Sequence, residues 1–325
     1  MTLQETPRHK TAVLLLAHGS PDSPADVPEF LKYVTGGRTL PDAVIEEVRH
    51  RYSLIGMSPL TRITLAQGEE LQNHLGLPVY VGMRNWKPFI AEAVRQIADA
   101  AVEHVLAICL APQNSSTSVG LYKRALSAEM KPEMPVHFVE EWHDHPLLIR
   151  AFAERLEPLW RQASRELGAP VPVVFTAHSV PTRTIQAGDP YELQTKDTAR
   201  LVGEKINGLP SDLCRFAFQS QGMSGGPWLG PTVEHAILEI KGQGHKGVIV
   251  APIGFLCDHI EVLYDVDVVF KDFATAQGLR FWRTESLNTS PAFISALAAL
   301  ASARLGALTE THTVPHTATQ AGSQA

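Results

Sequence analysis

Eight short apolar runs, separated by longer stretches, limit this chain to a small set of architectures. They are Ala12–Ala17, Val79–Met83, Val105–Leu110, Val136–Val139, Val173–Thr176, Phe216–Phe218, Val248–Pro252 and Leu279–Trp282. Most are apolar throughout rather than alternating, as in strands buried on both faces. Amphipathic segments fill the gaps. In Pro88–Ala101, apolar residues recur at Ile90, Ala93, Val94, Ile97 and Ala101 with helical spacing, and Ile63–Leu75 reads the same way. Pro88 is expected in the first helical turn. Strands alternating with helices predict parallel sheets covered by helices on both faces.

The 325 residues make two domains at about 150 residues each. An internal echo points the same way. The first strand ends Leu16-Ala17-His18-Gly19-Ser20-Pro21, and the strand opening the second half ends Thr176-Ala177-His178-Ser179-Val180-Pro181. Two related halves would each place a His at a strand's carboxyl end, where open α/β sheets hold ligands. The boundary is expected near Glu154–Ala169, dividing the chain into 1–155 and 156–307. The stretch 308–325 is rich in Thr, Gln, Gly, Ser and Ala and reads as a disordered tail.

Composition removes several function classes. Lys plus Arg number 28 against 34 Asp plus Glu, a formal charge of −6. That balance argues against nucleic-acid binding through bulk charge. The cysteines Cys109, Cys214 and Cys257 are far apart and form no disulfide framework or cysteine metal motif. No apolar run reaches about 18 residues, so no membrane span is expected. The polar N-terminus does not read as a signal peptide, and the cytosol is the expected compartment.

Chemistry is sought at strand ends. The stretch Ile253–Asp267 reads IGFLCDHIEVLYDVD. A helix is expected from Cys257 or Asp258, with Asp258 as N-cap and Glu261 completing a capping box. Glu261 and Asp265 then share a helix face. Such a pair is either a solvated stripe or a place for a cation or proton donor. Its position just past a strand favours the second. His178 follows another strand of the same half, so the two can meet across one crevice. A neutral imidazole, with an ordinary pKa of about 6.5, can take up a proton or bind a transition metal. A lone His is also commonly a hydrogen-bonded structural residue.

Other motifs are weaker. Gly222-Met223-Ser224-Gly225-Gly226 matches a hydrolase elbow, but the Gly/Pro run to Pro231 denies the helix that elbow needs. It reads as a turn placing Trp228 before a helix near Thr232. His143 and His145 offer two imidazoles for a metal; the plainer reading is a loop and helix start capped by Asp144. Tyr33, Arg38, Arg51, Tyr52 and Ser58 border the first long connections, and on spacing alone are ordinary surface polar residues. No G-x-G-x-x-G follows a strand and no G-x-x-x-x-G-K-[ST] is present, so neither a dinucleotide nor a P-loop site is supported.

Taken together, several stretches resemble one family, the ferrochelatases. They are Tyr52-Ser53-Leu54-Ile55-Gly56-Met57-Ser58-Pro59-Leu60; Ala111-Pro112-Gln113 with Tyr122; Phe175-Thr176-Ala177-His178-Ser179-Val180-Pro181; Phe218-Gln219-Ser220-Gln221 through Trp228-Leu229-Gly230-Pro231; and Pro252-Ile253-Gly254-Phe255 through Asp258-His259-Ile260-Glu261-Val262-Leu263-Tyr264-Asp265. They keep the family's order almost to Gly306. The chain looks most similar to the soluble bacterial enzymes that act on coproporphyrin III.

The resemblance implies two Rossmann-like, chelatase-type halves, each a parallel sheet flanked by helices, with a porphyrin cleft between them. It implies insertion of Fe(II), as substrate, into a porphyrin in heme biosynthesis. His178 and Glu261 match the residues that bind the incoming metal. Arg51, Tyr52, Ser58 and Tyr122 match the porphyrin-binding positions, and His18 stands in the same cleft. Metal insertion needs a base for the pyrrole protons, and a neutral His178 would serve. One imidazole and one carboxylate hold the ion loosely. Asp265 would guide cation or proton along the helix. A monomer is expected, with transient handover of product to the next heme-pathway enzyme.

The chain also departs from the family. His18 stands where related soluble enzymes often carry a Tyr that can ligate product iron. Thr35 and Gly36 replace a basic pair, leaving Arg38. Val269 interrupts an acidic stripe that usually continues. No cysteine-rich C-terminus occurs, so no iron–sulfur cluster is expected. Rival readings are a protoporphyrin IX ferrochelatase, a chelatase for a cobalt-binding corrin precursor, and a non-catalytic heme or porphyrin carrier. The polar loop Pro21–Arg38, with Asp22, Asp26, Glu29 and Lys32, argues against the membrane-docking lip that would favour protoporphyrin.

Overall fold

The computed structural model describes residues 11–132, 134–222 and 226–311. Met223, Ser224 and Gly225 of the elbow-like motif lie outside the described residues, as do 312–325 of the expected tail; its first four residues, 308–311, belong instead to the last helix, whose turns run on to Thr311. Eight strands form: β1 Thr11–Ala17, β2 Val79–Met83, β3 His104–Cys109, β4 Val136–Val139, β5 Val173–His178, β6 Cys214–Gln219, β7 Gly247–Pro252 and β8 Arg280–Arg283. They make two four-stranded sheets, ordered β2-β1-β3-β4 and β6-β5-β7-β8. Every pairing is parallel. The expected architecture of two parallel sheets is therefore present, and the echoed strands β1 and β5 hold the same place in each sheet. In both, the order reverses beside that strand, which opens a crevice at its carboxyl end.

Helices of the first half are α1 Val27–Val34, α2 Asp42–Leu54, α3 Leu60–Leu75, α4 Ile90–Asp99 and α5 Val119–Glu129. Then come α6 Pro146–Leu167, α7 Thr182–Gln186, α8 Tyr191–Lys205, α9 Val233–Gly242, α10 Ile260–Leu263, α11 Lys271–Ala276 and α12 Pro291–Thr311. A π-helical stretch, Asp265–Phe270, follows α10. In α4 the four residues spaced for one face, Ile90, Ala93, Val94 and Ile97, are the buried ones. The helix does not begin at Pro88. Phe89 is its N-cap, and the Glu92 carboxylate accepts the Phe89 N–H at 2.7 Å. Ala101 lies past its end in a left-handed conformation, φ 50°.

Both sheets are tied into one apolar core. Leu15 and Ile108 of the first sheet and Phe175 and Ile249 of the second belong to the same buried cluster. Ile149, Phe152 and Leu156 of α6 join it, as do Phe293 and Leu297 of α12. Each such side chain, fully buried, contributes about 1.5–3 kcal/mol. The last helix packs back on α3 and β3 of the first half as well as on α6. The expected boundary at 155/156 falls inside α6, which runs without a break to its cap at Gly168, φ 69°.

One close approach sets the floor of the second crevice. A Cβ at Gly254, just past β7, would sit 2.7 Å from Ala177 Cβ and 2.8 Å from Ala177 Cα. Only glycine lets β7's exit lie this near the residue preceding His178. Among the described residues, no helix is long and apolar enough to cross a membrane.

Candidate functional site

His178 is the last residue of β5, and Glu261 lies in the first turn of α10. Their side chains meet at 3.4 Å, Nε2 to Oε1, and are 37% and 33% exposed. The imidazole Nδ1–H donates to the Ser179 carbonyl at 2.5 Å. The Tyr191 hydroxyl donates to the His178 carbonyl at 2.9 Å. Burial opposes a charge on the ring, but the Glu261 carboxylate, the Ser179 carbonyl and Asp265 outweigh it and raise the His178 pKa to about 9. Burial likewise works against the Glu261 charge, yet His178 and the nearby His259 and His18 hold this carboxyl well below the usual range. The expected neutral imidazole is thus replaced by an imidazolium–carboxylate pair. The cause is the carboxylate partner, which the sequence alone does not place at this distance.

The helix start differs from expectation too. Asp258 does not cap it. Its carboxylate accepts from Ser286 Oγ at 2.7 Å and Asn288 Nδ2 at 2.9 Å, and stands 3.4 Å from Arg283. His259 is the N-cap, and its Nδ1 accepts the Glu261 N–H at 3.1 Å. Glu261 is fixed from a second side by Gln219, whose side-chain amide donates to the Glu261 carbonyl at 2.8 Å. The Gln219 oxygen accepts from the Thr176 hydroxyl at 2.6 Å. Asp265, the next carboxylate along, accepts from Ser220 Oγ. Burial raises its pKa to about 6 and Glu261 adds to the rise, while Ser220, Arg51 and His178 oppose it.

His18 faces the pair from the first half. Its Nδ1–H donates to the Gly19 carbonyl at 3.0 Å, which leaves Nε2 with the ring's lone pair. Burial, together with the Arg84 charge, lowers its pKa to about 4, so the ring is neutral at pH 7. Arg51 reaches across from α2, its guanidinium carbon 5.3 Å from the centre of the Tyr264 ring. Tyr52 is buried in a cluster with Phe30 and Trp86, against which Ile260 of the second half packs. Tyr122 is buried on α5, with the Arg84 guanidinium 5.9 Å from its ring centre. Burial raises the pKa of both phenols, so they remain neutral donors. Ser58 lines a groove of about 660 Å³ with Asp22, Thr61, Arg62 and Glu69, and its hydroxyl accepts the Leu60 N–H at 3.3 Å.

Sequence reasoning did not single out Gln219, Ser220, Arg84, His259 or Tyr191. Of these, Gln219 and Ser220 had a usable signal: they follow a strand of the same half as His178. The His143–His145 motif leads into α6, as a loop and helix start. His143 Nε2 lies 3.6 Å from Asp197, and His145, not Asp144, caps α6. Among the described residues, no three His, Cys, Asp or Glu side chains are arranged to hold a metal ion. His178 and Glu261 offer two donor atoms 3.4 Å apart, a set that would leave positions open on an ion held by both.

The ferrochelatase family model matches residues 10–305. The chain is 52% identical over 313 residues to a ferrochelatase of Acidobacterium capsulatum, covering 92% of this chain and 96% of the relative. It is 34% identical over 306 residues to the coproporphyrin III ferrochelatase of Geobacillus thermodenitrificans, covering 90% and 95%. The fold is similar to that of SirB from Bacillus subtilis, solved with Fe3+, at TM-score 0.61 and 12% identity over 93% of this chain and 98% of that one.

The ion pair has a pH consequence. A metal entering at neutral pH must displace the His178 proton. Binding of Zn(II) should tighten about tenfold per pH unit, levelling off near the pKa of about 9. Calorimetry in buffers of different ionisation enthalpy should count about one proton released at pH 7. In Glu261→Gln the ring loses the charge that raises its pKa, and the levelling point should fall toward about 6.5. Zn(II) binding without proton release at pH 7 would remove the imidazolium.

Proposed function

The chain belongs to the ferrochelatase family and is a porphyrin metal chelatase of heme biosynthesis; from that premise we propose that its porphyrin is coproporphyrin III and that Fe(II) passes between His178 and Glu261. The observation that carries the metal assignment is the 3.4 Å pair itself. It sits at the switch point of the second sheet and opposite a neutral His18. Two features bear on the substrate, the first favouring a carboxylate-bearing porphyrin and the second a tetracarboxylate one. Arg51 offers a guanidinium at the cleft, a planar fork suited to a carboxylate. Relatives at 31–34% identity are named coproporphyrin III ferrochelatases.

The proton balance follows from the pair. Insertion of Fe(II) replaces two pyrrole protons. As Fe(II) arrives, His178 gives up its proton and ligates the ion through Nε2, while Glu261 supplies an oxygen. Asp265, with a pKa of about 6, is placed to pass the displaced proton toward solvent. When the pyrrole nitrogens take the iron, the freed imidazole accepts one pyrrole proton and the resting ion pair returns. The other pyrrole proton leaves past Glu261 and Asp265. Two loosely held donors suit this role, because a closed cage would not release the ion.

His18 is the proposed axial ligand of product iron, since its Nε2 lone pair is free and its ring is neutral at pH 7. His18→Ala should then shift the absorption bands of the bound ferrous product; an unchanged spectrum would reject ligation.

Substrate choice is tested anaerobically, with Fe(II) and either coproporphyrin III or protoporphyrin IX, by loss of porphyrin fluorescence. The expected result is at least about tenfold higher kcat/KM for coproporphyrin III, the scale of one well-made charged contact. Preference for protoporphyrin IX would overturn the substrate reading. Tight binding of both without insertion would leave a carrier.

A further inference from the structure

Arg51 belongs to the first half of the chain, yet its guanidinium lies over a ring of the second half, 5.3 Å from the centre of Tyr264. Its Nε–H donates to Glu47 Oε1 at 2.9 Å. No partner of its two terminal nitrogens is found among the described residues. One edge of the fork is therefore taken by Glu47, one face is covered by an aromatic ring, and the other edge is open. The side chain is 42% exposed, so the guanidinium is reachable. An aromatic face holds a guanidinium without using its in-plane N–H groups, which remain able to grip a carboxylate.

Tyr264 is well placed to act as a fixed surface. It lies between Glu261 and Asp265, at the point where α10 passes into the π-helical stretch. Its N–H donates to the Ile260 carbonyl at 2.8 Å, and its own carbonyl accepts from Val268 and Val269, both at 3.1 Å. Ile260, in the same turn, is packed against the Phe30–Tyr52–Trp86 cluster of the first half. The ring is thus anchored to the helix that carries the metal-site carboxylate, and it meets an arginine from the opposite wall.

We propose that Tyr264 is a positioning residue for substrate recognition: its ring and Glu47 hold the Arg51 guanidinium so that the open edge meets one carboxylate of the porphyrin. The inference rests on the reading of Arg51 as a porphyrin-carboxylate residue. A guanidinium ordered before binding loses less freedom when the carboxylate arrives. The same contact makes Arg51 report which carboxylate pattern fits against the second half, so Tyr264 sets specificity without touching the reacting atoms.

The test is a double-mutant cycle read by fluorescence titration with coproporphyrin III and by steady-state insertion of Fe(II). Tyr264→Leu should weaken coproporphyrin III binding about two- to fivefold, the scale of one exposed cation–π contact. The loss should fall in KM rather than kcat. Tyr264→Phe keeps the ring face and should restore affinity. In an Arg51→Leu background, Tyr264→Leu should cost nothing more. Additive losses in the double variant, a fall in kcat at unchanged KM, or no rescue by Phe would overturn the proposal. If Arg51→Leu alone leaves coproporphyrin III affinity unchanged, the reading of Arg51 itself fails, and this inference falls with it.

Discussion

A buried amide, Gln219, holds the candidate site to the sheet beneath it. Parallel pairing of β5 with β6 sets His178 opposite Gln219. From there the Gln219 side chain, 2% exposed, accepts from Thr176 on one strand and donates to the carbonyl of Glu261 on the far side of the crevice. Strand register is thereby converted into the distance between an imidazole and a carboxylate. A buried amide left without partners costs about 1–3 kcal/mol, so the arrangement is over-determined. The helix start cannot drift without breaking a bond that the sheet needs. Gly254 acts in the same sense from the other side, letting β7's exit touch the residue before His178.

The opposite wall of the cleft is held by packing as well as by polar bonds, among them Gln67 to the Asn288 carbonyl at 2.8 Å and the Asn114 N–H to Gln194 at 2.6 Å. Ile260 enters an apolar cluster of the first half, and Arg51 of that half lies against Tyr264. Meanwhile α12 returns from the second half to lie on α3 and β3. The two sheets thus share a core and face each other across their strand ends. The site is built where His18 and His178, the two echoed histidines, look into one space. Their electrostatics diverge because only one has a carboxylate partner. Burial and Arg84 keep His18 neutral, whereas Glu261 keeps His178 charged. One sequence pattern, repeated, yields a lone-pair donor on one wall and a displaceable proton on the other.

Much of this was legible because it is local or periodic. All eight strands lie within two residues of their apolar runs; the central strands β1, β3, β5 and β7 are buried along nearly their whole length and so must be apolar throughout, while the edge strands β4 and β8 are only partly buried. The Ala-His echo found its counterpart in the equal strand orders of the two sheets. What escaped depends on partners distant in sequence. Asp258 has the residue type and position of a cap, but Ser286, Asn288 and Arg283 from beyond β8 claim its carboxylate. His178 read as neutral because the sequence brings Glu261 to the same crevice without fixing the 3.4 Å approach that holds the proton on the ring. The stacking of Arg51 on Tyr264 has no local signature at all.

The ion pair makes a demand on the order of events. If His178 carries a proton that iron must displace, one proton appears when Fe(II) binds, before any change in the porphyrin spectrum. Single-turnover stopped flow, with a pH indicator and porphyrin absorption followed together under anaerobic conditions, measures this directly. The expected trace shows about one proton released on iron binding and about one more, net, with insertion, two in all as the stoichiometry requires. Release of both protons together with the change in porphyrin absorption, and none before it, would contradict the pair as the resting state of the site.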